Sequence, residues 1–315
     1  MILVLVALEM LAGLPAMQPS ASQPAQTTLQ APAANFTSAE QLLDALEEAD
    51  ADLRTLQSDI QYDRVFGIAG DRQIRQGGLV YVDPRPAGQA STSKQGRKFA
   101  IRITSVQIGE RREKDDRQLI FDGEWFVERD NVRKLFQKRH VARPGDGFDP
   151  LKLGEGPFPL PIGQKKADIL RRYEVELLTA GQGLEANDPA DAAAKASLEA
   201  FVKGSYQLKL TPKPEIIESE ELKEIRLWYR PVVGPAGQTT LLPRMARTIN
   251  RAADVTLVSL INVKTNQPVD ADAISTMAPK EGWDVQIEEL PGAGQPGALI
   301  VPGAEPSKPQ TGDPK

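Results

Sequence analysis

Among the adjacent acidic residues of this sequence, two pairs are candidates for acid–base chemistry. Asp115-Asp116 and Glu220-Glu221 each place two carboxylates side by side, and two carboxylates that face one cleft can act as acid and base in hydrolysis. Both pairs fall on predicted hairpins or loops, where acidic side chains are usually solvated, and no spacing directs two acids into one cleft. A hydrolase is therefore the weakest of three functional hypotheses.

Sulfur and imidazole chemistry are almost absent from the chain. Its 315 residues include no cysteine and a single histidine, His140. The lack of cysteine excludes disulfide frameworks, thiolate zinc sites, iron–sulfur clusters and cysteine nucleophiles, and one histidine excludes a histidine-based metal centre. His140 ends a basic strand, and we expect it to be exposed. We predict no catalytic residue, no metal site and no cofactor.

The composition indicates a folded body between two tails. Hydrophobic residues make up 40% of the chain, which is enough for a core, and the net charge of −5 disfavours a general nucleic-acid binder. Residues 17–34 are rich in proline, glutamine, serine and alanine and predict a flexible linker. Residues 291–315 are rich in proline and glycine and predict a disordered tail. The folded body is predicted to span 35–290.

The first 16 residues, MILVLVALEMLAGLPA, are almost wholly apolar. The run is too short to cross a bilayer, and Glu9 and Pro15 interrupt it. It is typical of the apolar part of a secretory signal, although the basic residues expected before it are missing. We interpret residues 1–34 as a signal or leader followed by the linker, the alternative being a disordered apolar leader.

One amphipathic helix precedes a series of strands. Thr37 and Glu40 have the spacing of a capping box, and apolar residues follow at helical spacing from Leu42 to Leu56, with acidic residues on the opposite face. We predict a helix over 38–56. A second helix is predicted over 188–203, which opens with an Asp-Pro pair.

After the first helix the apolar residues recur at every second position. Phe99, Ile101 and Ile103 are an example, and Asp122-Gly123 between two apolar runs predicts a hairpin. About eleven such segments follow at close spacing with few helical patterns between them, so the sheet is predicted to be antiparallel. The proline- and glycine-rich stretch 144–169 is predicted to be a long irregular loop.

The order of these elements resembles the outer-membrane lipoprotein carrier family, the LolA-like proteins. Three segments carry much of the likeness: GGLVYVDPRP (77–86), LIFDGEWFVERDNVRKLFQ (119–137) and VTLVSLINVKTNQPVDADAISTMAPKEGWDV (255–285). The resemblance covers about 38–288. The chain departs from the family pattern by an extra residue before Arg85-Pro86, by the long proline loop and by a longer tail.

The resemblance implies a mainly β fold, an unclosed antiparallel β-barrel of about eleven strands with a helical lid over an apolar cavity. It implies a periplasmic, non-enzymatic carrier that takes acylated lipoproteins or lipid from a membrane-bound donor to an acceptor at the outer membrane, acting as a monomer. The alternative is a binding module that senses acyl chains in an envelope-stress pathway with the same fold.

The resemblance and the alternation together predict which side chains line the cavity. The helix would contribute the first leucines of its stripe, and the strands would contribute the side chains of one sheet face. The predicted set is Leu42, Leu43, Leu46, Phe66, Phe99, Ile101, Ile103, Phe121, Tyr173, Val175, Leu208 and Leu227.

Arg85 is the residue that the resemblance assigns to contact with the lid. It would bind backbone carbonyls of the helix, or a polar cargo group, through its five guanidinium donors. Pro84 and Pro86 flank it and restrain its backbone. On this basis we expect its replacement by leucine to change the stability of the fold little, by about 0.5 kcal/mol or less, while altering cargo retention.

Overall fold

The structure is a computed structural model. It describes residues 36–85, 96–143, 162, 165–185, 192–218, 220–233 and 239–290. The predicted leader and linker at 1–34, the tail at 291–315 and most of the predicted loop at 144–169 lie outside these residues.

Three α-helices and twelve strands occupy the described ranges. The helices are α1 (Ala39–Asp52), α2 (Lys166–Arg172) and α3 (Ala192–Val202). The strands are β1 (Thr55–Val65), β2 (Arg72–Val82), β3 (Lys98–Ile108), β4 (Arg111–Phe121), β5 (Trp125–Asp130), β6 (Leu135–His140), β7 (Tyr173–Thr179), β8 (Tyr206–Pro212), β9 (Leu222–Val233), β10 (Thr239–Asn250), β11 (Val255–Thr265) and β12 (Asp284–Glu288). A short 3₁₀ helix, Ala271–Ile274, lies between β11 and β12.

All twelve strands form one sheet, in the order β12-β6-β5-β4-β3-β2-β1-β11-β10-β9-β8-β7. Strands β12 and β7 are its two edges, so the sheet is not closed. The prediction of an unclosed, mainly antiparallel sheet with helices is confirmed. The pairing of β12 with β6 is the one parallel pair in the described sheet, because the connection 266–283 carries the chain across one face before β12 begins.

Strand β10 and helix α2 were not expected from the sequence. Pro243 lies inside β10, and a proline that cannot donate a ladder hydrogen bond argues against a central strand. The structure accommodates it with a register shift between Pro243 and Met245 against β9. Helix α2 lies partly within the stretch predicted to be an irregular loop, so that prediction is wrong from Lys166 onward.

Helix α1 is shorter than predicted and is capped one residue later. The side chain of Ser38, not of Thr37, accepts a hydrogen bond from the backbone N–H of Gln41 (3.2 Å). The helix ends at Asp52, and the extended backbone of Leu53 leads into β1. Because Leu56 therefore lies on β1, the leucine stripe that looked continuous in the sequence belongs to two elements.

The sheet has two faces that can be followed through the strand register. We call the face that carries Leu56, Ile60 and Tyr62 of β1 the inner face. Tyr62 is paired with Val258 of β11, which is paired with Ala246 of β10, and α1 packs on that same face. The outer face is covered by α3 at one end and by the 266–283 connection at the other.

Candidate functional site

The leucines of α1 pack on one end of the inner face. Leu42 and Leu43 are almost completely buried, and Leu46 is nearly so. They form the cluster that we call the helix cluster. Its buried members are Leu42, Leu43, Leu46, Ile169, Tyr173, Leu208, Leu210, Ile225, Leu227, Tyr229, Leu241 and Ala246. The helix therefore covers strands β7 to β10, with α2 contributing Ile169.

A second apolar cluster occupies the inner face of β1 to β5 and β11, and we call it the strand cluster. Most of its members are buried side chains that alternate along these strands, and Leu53, Val141 and Ile162 join them from outside the strands. The members are Leu53, Leu56, Ile60, Tyr62, Leu79, Tyr81, Phe99, Ile101, Ile103, Leu119, Phe121, Phe126, Val141, Ile162, Val258 and Leu260. The rings of Phe99 and Phe121, which are cross-strand partners, have centroids 5.8 Å apart.

The structure divides the predicted lining residues between these two clusters. The helix cluster contains Leu42, Leu43, Leu46, Tyr173, Leu208 and Leu227, with Val175 partly buried beside it. The strand cluster contains Phe99, Ile101, Ile103 and Phe121. The α1 leucines were expected to face Phe66, Phe99, Ile101, Phe121 and Tyr173. Only Tyr173 shares their cluster, because the helix lies over the other half of the sheet. Phe66 belongs to neither cluster and lies 4.6 Å from the Arg64 guanidinium.

A cavity of about 430 Å³ lies where the C-terminal half of α1 meets the inner face. That volume falls within the roughly 300–1,000 Å³ usual for pockets that hold small organic ligands. Most of its lining side chains are apolar. They are Leu43, Leu46, Ala49, Leu53, Ile169, Val232, Val233, Leu241, Leu242 and Pro243. Polar groups come mainly from the end of α1 and from the residues that follow β11, so one cavity combines apolar walls with a polar edge.

A larger groove of about 920 Å³ lies on the outer face, between the strands and the 3₁₀ helix. Its lining is mainly polar or charged and includes Gln57, Asp59, Arg102 and Gln118. Such a lining does not offer the dry surface that an acyl chain needs. The smaller cavity beside α1 is the better candidate for an apolar ligand.

Arg85 lies at the end of α1 and is held by a buried carboxylate. Its Nε donates to Asp83 Oδ2 (2.6 Å), and its backbone N–H donates to Asp83 Oδ1 (3.1 Å). Arg97 Nε lies 3.7 Å from the same oxygen Oδ2, and the Asp83 side chain is completely buried. Burial alone would raise the pKa of Asp83, but the hydrogen bonds from Arg85 hold it below its ordinary value.

The same guanidinium reaches α1. Arg85 Nη2 donates to the backbone carbonyl of Asp50 at 3.4 Å, which is the type of contact that the family resemblance implies. The Arg85 side chain is only 9% exposed. This burial argues against the expectation that replacement by leucine scarcely affects stability, since that change leaves the buried Asp83 without its main partner.

Asn266 binds the backbone at the C-terminal end of α1, and sequence reasoning did not identify this residue. Its Oδ1 accepts hydrogen bonds from the backbone N–H groups of Arg54 (2.8 Å) and Thr55 (3.3 Å), while its Nδ2 donates to the Asp52 carbonyl (3.1 Å). Its φ of 54° lies in the left-handed region, where asparagine is favoured among non-glycine residues. The residues NQPVD (266–270), which follow β11, carry the signal that could have identified it.

The acidic pair Asp115-Asp116 is divided between the two faces of the sheet. Asp115 accepts hydrogen bonds from Arg117 Nε (3.0 Å) and Nη2 (2.9 Å). Asp116 instead accepts from Arg102 Nε (3.1 Å) and from Asn131 Nδ2 (3.2 Å). The two carboxylates are bound to different arginines and do not share a cleft.

Glu220 and His140, which could also perform chemistry, are engaged in structural contacts. Glu220 forms a bidentate ion pair with Arg172 (2.7 and 2.8 Å). His140 stacks on Trp125, with ring centroids 4.5 Å apart, and its side chain is 19% exposed. The expectation of an exposed histidine is therefore wrong, because the tryptophan covers one side of the ring.

Two further features concern the described part of the chain as a whole. Within it, no group of three or more histidine or acidic side chains is arranged to hold a metal ion. Among its helices, none has the length and apolar character needed to span a membrane.

Comparisons with known proteins give structural neighbours only. A LolA superfamily protein from Nitrosomonas europaea is similar over 76% of this chain and 98% of its own, with 11% identity and a TM-score of 0.32. A putative outer membrane lipoprotein-sorting protein domain from Vibrio parahaemolyticus is similar over 74% and 95%, with 8% identity and a TM-score of 0.33. The Pseudomonas aeruginosa MucA/MucB complex is similar over 75% and 60%, with 10% identity and a TM-score of 0.36. No protein-family model and no curated protein matches the chain.

Proposed function

We propose that this protein is a carrier that binds acyl chains of lipoproteins or other lipids on the inner face of its sheet. In this proposal it acts as a monomer in the periplasm, receives cargo from a membrane-bound donor and delivers it towards the outer membrane. It performs no chemical reaction on the cargo. The single observation that carries the proposal is the apolar cavity of about 430 Å³ beside α1.

The energetics of this surface suit reversible lipid binding. Each CH₂ group removed from water contributes about 0.8 kcal/mol, so a long acyl chain needs only a continuous dry surface. The strand cluster and the cavity are joined, because Leu53 belongs to both. In this proposal an acyl chain enters at the cavity and extends from there along the apolar side chains of the strand cluster.

Helix α1 supplies the apolar surface that competes with a lipid for contact with the inner face. Its three buried leucines cover the inner face when no lipid is bound, and a bound chain would replace part of that contact. The exposed side of α1 is acidic: Lys166 Nζ lies 2.7 Å from Asp44 and its backbone N–H donates to Glu47 (2.8 Å). Surface contacts of this kind are weak, so the packing of the leucines, including their contact with Ile169 of α2, is the main interaction that a lipid must replace.

A transfer assay tests this function. The purified protein is loaded with a fluorescent triacylated lipopeptide and mixed with vesicles as the acceptor, while hydrogen exchange of α1 is recorded with and without cargo. We expect binding, transfer and faster exchange in α1. Helix α3, which packs on the outer face, is the internal control and should exchange unchanged. Absence of binding would refute the carrier, and binding without transfer would favour an envelope-stress sensor.

A further inference from the structure

The inner face changes from apolar to charged along β2. Side chains at every second position of this strand point to the inner face, and Tyr81 and Leu79 belong to the strand cluster. Gly77 follows without a side chain; a Cβ there would lie 1.8 Å from the Arg102 carbonyl oxygen, so only glycine fits. The next inner-face residue is Arg75, whose partner on β1 is Tyr62.

Arg75 stands at the edge of the apolar surface. Its guanidinium carbon lies 5.7 Å from the centroid of the Tyr62 ring, and Tyr62 is a buried member of the strand cluster. Arg75 Nη2 donates a hydrogen bond to Gln73 Oε1 (2.9 Å), a neutral group on the same strand. Partial burial lowers the pKa of Arg75 from its ordinary value, as expected for a cation whose charge is not well compensated.

The neighbouring charges compensate Arg75 only in part. Arg117 and Arg64 repel it and Asp115 attracts it, but Asp115 is bound by Arg117, whose Nη2 lies 2.9 Å away. Arg64 Nη2 lies 2.6 Å from its own partner, Asp254. Among the described residues, Arg75 itself forms no ion pair.

A partly buried arginine without a counter-charge is costly unless a ligand supplies one. Guanidinium presents its donors in a planar fork that matches the oxygens of a phosphodiester or a carboxylate. We propose that Arg75 binds the anionic headgroup of a lipid, most simply the phosphodiester of a phospholipid, while the acyl chains lie along the strand cluster. This assignment rests on the proposed lipid-binding function and specifies the class of lipid.

The dimensions of the inner face agree with such a ligand. From Leu56 to Tyr62 the strand advances six residues, or about 20 Å at roughly 3.3 Å per residue. An acyl chain occupies about half of the roughly 30 Å hydrocarbon core of a bilayer. A lipid with its headgroup at Arg75 would therefore extend its chains past Ile60 and Leu56 towards the cavity at Leu53.

The test compares two lipids with the same acyl chains and different headgroups. Binding of dioleoyl phosphatidylglycerol, which is anionic, and of dioleoylglycerol, which is neutral, is measured by displacement of a fluorescent fatty-acyl probe. We expect wild-type protein to bind the anionic lipid about 10-fold to 100-fold more tightly, the range of charge-assisted hydrogen bonds. In Arg75→Gln that preference should disappear, and in Arg75→Lys it should be partly retained.

Controls separate a binding role from a structural one. Arg111, which is 82% exposed, provides the matched variant Arg111→Gln, which should keep the preference. The melting temperature of Arg75→Gln should not fall, because no ion pair is lost. A clear fall in its melting temperature, with the lipid preference unchanged, would show that Arg75 is structural and would overturn the proposal.

The remaining outcomes show whether the bound anion is a lipid headgroup or free phosphate. They also show whether the headgroup site or the carrier function is refuted. Inorganic phosphate alone should neither bind detectably nor displace the probe; displacement by phosphate would replace the lipid headgroup with a free anion and overturn the assignment. Equal binding of both lipids by wild-type protein would refute the headgroup site and leave the carrier function standing. Binding of neither lipid would refute the carrier function itself.

Discussion

Arg85 and Asp50 are 35 residues apart in the chain, and the guanidinium of the first donates a hydrogen bond of 3.4 Å to the backbone carbonyl of the second. Asp50 lies in the last turn of α1, and its carbonyl oxygen also accepts a hydrogen bond from the backbone N–H of Leu53 (3.3 Å). The contact joins the only buried carboxylate–arginine group beside α1 among the described residues, formed by Asp83, Arg85 and Arg97, to the helix that covers the inner face. The stability of the fold and the position of α1 over the inner face are therefore coupled through Arg85.

Replacement of Arg85 tests that coupling. Arg85→Leu removes the main partner of a buried carboxylate, and we expect a loss of about 3–5 kcal/mol in the free energy of unfolding, measured by urea denaturation. The double variant Asp83→Asn/Arg85→Leu should recover part of that loss, because the buried carboxylate is no longer present. A single-variant loss below about 0.5 kcal/mol, typical of surface sites, would contradict the assignment of Arg85 to a buried ion pair.

Asp83 should make the stability depend on pH. Hydrogen bonds from Arg85 outweigh burial and hold its folded-state pKa below the ordinary value of 3.8. Its ionised form therefore contributes stability that is complete well above pH 3.8 and is lost as the pH falls through the folded-state pKa. The difference in unfolding free energy between wild type and Asp83→Asn should be constant from neutral pH to about pH 5 and should shrink in acid. A difference that grows in acid would refute the lowered pKa.

Local signals in the sequence determined much of the fold. The Asp122-Gly123 pair predicted a hairpin, and the structure has Gly123 at a φ of 111° while Asp122 Oδ1 accepts from the N–H of Trp125 (2.8 Å). The alternation of Phe99, Ile101 and Ile103 correctly predicted a strand with one buried face. Such signals are local because turn geometry and side-chain alternation depend on adjacent residues.

Features that depend on distant parts of the chain were not predictable in the same way. Pro243 concealed β10, since whether a proline is tolerated depends on a bulge in the pairing with β9. The division between the helix cluster and the strand cluster depends on where α1 packs on the sheet. Hydrophobic periodicity predicts which face of a helix is buried but not where on the sheet it packs. The burial of Arg85 depends on Asp83 and Arg97 folding around it, and its neighbours in sequence suggested an exposed turn.

Asn266 should contribute to the position of α1 through its amide. Asn266→Ala removes three hydrogen bonds to the backbone between Asp52 and Thr55. It also places alanine at a φ of 54°, in the left-handed region that alanine adopts less readily than asparagine. We expect a loss of about 1–3 kcal/mol in the free energy of unfolding. Asn266→Gly retains the backbone freedom and loses only the amide, so a loss confined to the alanine variant would show that strain, not the amide, is responsible.

Leu42 should have opposite effects on stability and on lipid binding. Its side chain is fully buried on the side of α1 that packs against the sheet. Leu42→Ala should therefore cost about 2–5 kcal/mol in the free energy of unfolding. Because the same change weakens the contact that competes with cargo, affinity for a fluorescent lipid should rise. Val202, buried between α3 and the outer face, provides the control Val202→Ala, which should lower stability without changing lipid affinity. Equal effects of both variants on lipid binding would contradict the covering role of α1.

Glu128 is the carboxylate whose removal should stabilise the protein. It lies on the inner face opposite Leu119. Burial raises the pKa of Glu128 above the ordinary value of 4.5. Arg117 and Arg139 act to lower that pKa, and Asp130 acts to raise it further. An acid whose pKa is raised by folding destabilises the folded state wherever it must be ionised, and that penalty vanishes once both states are protonated. Glu128→Gln should therefore raise the melting temperature at pH 7, and its advantage over wild type should shrink as the pH falls through the raised folded-state pKa of Glu128 and be absent below 4.5. Glu113, which is about half exposed and paired with Arg111, provides the control Glu113→Gln, for which the change should stay within the roughly 0.5 kcal/mol typical of surface sites. A lower melting temperature for Glu128→Gln at pH 7 would mean that Arg117 or Arg139 compensates the carboxylate fully, and it would remove the basis for a raised pKa.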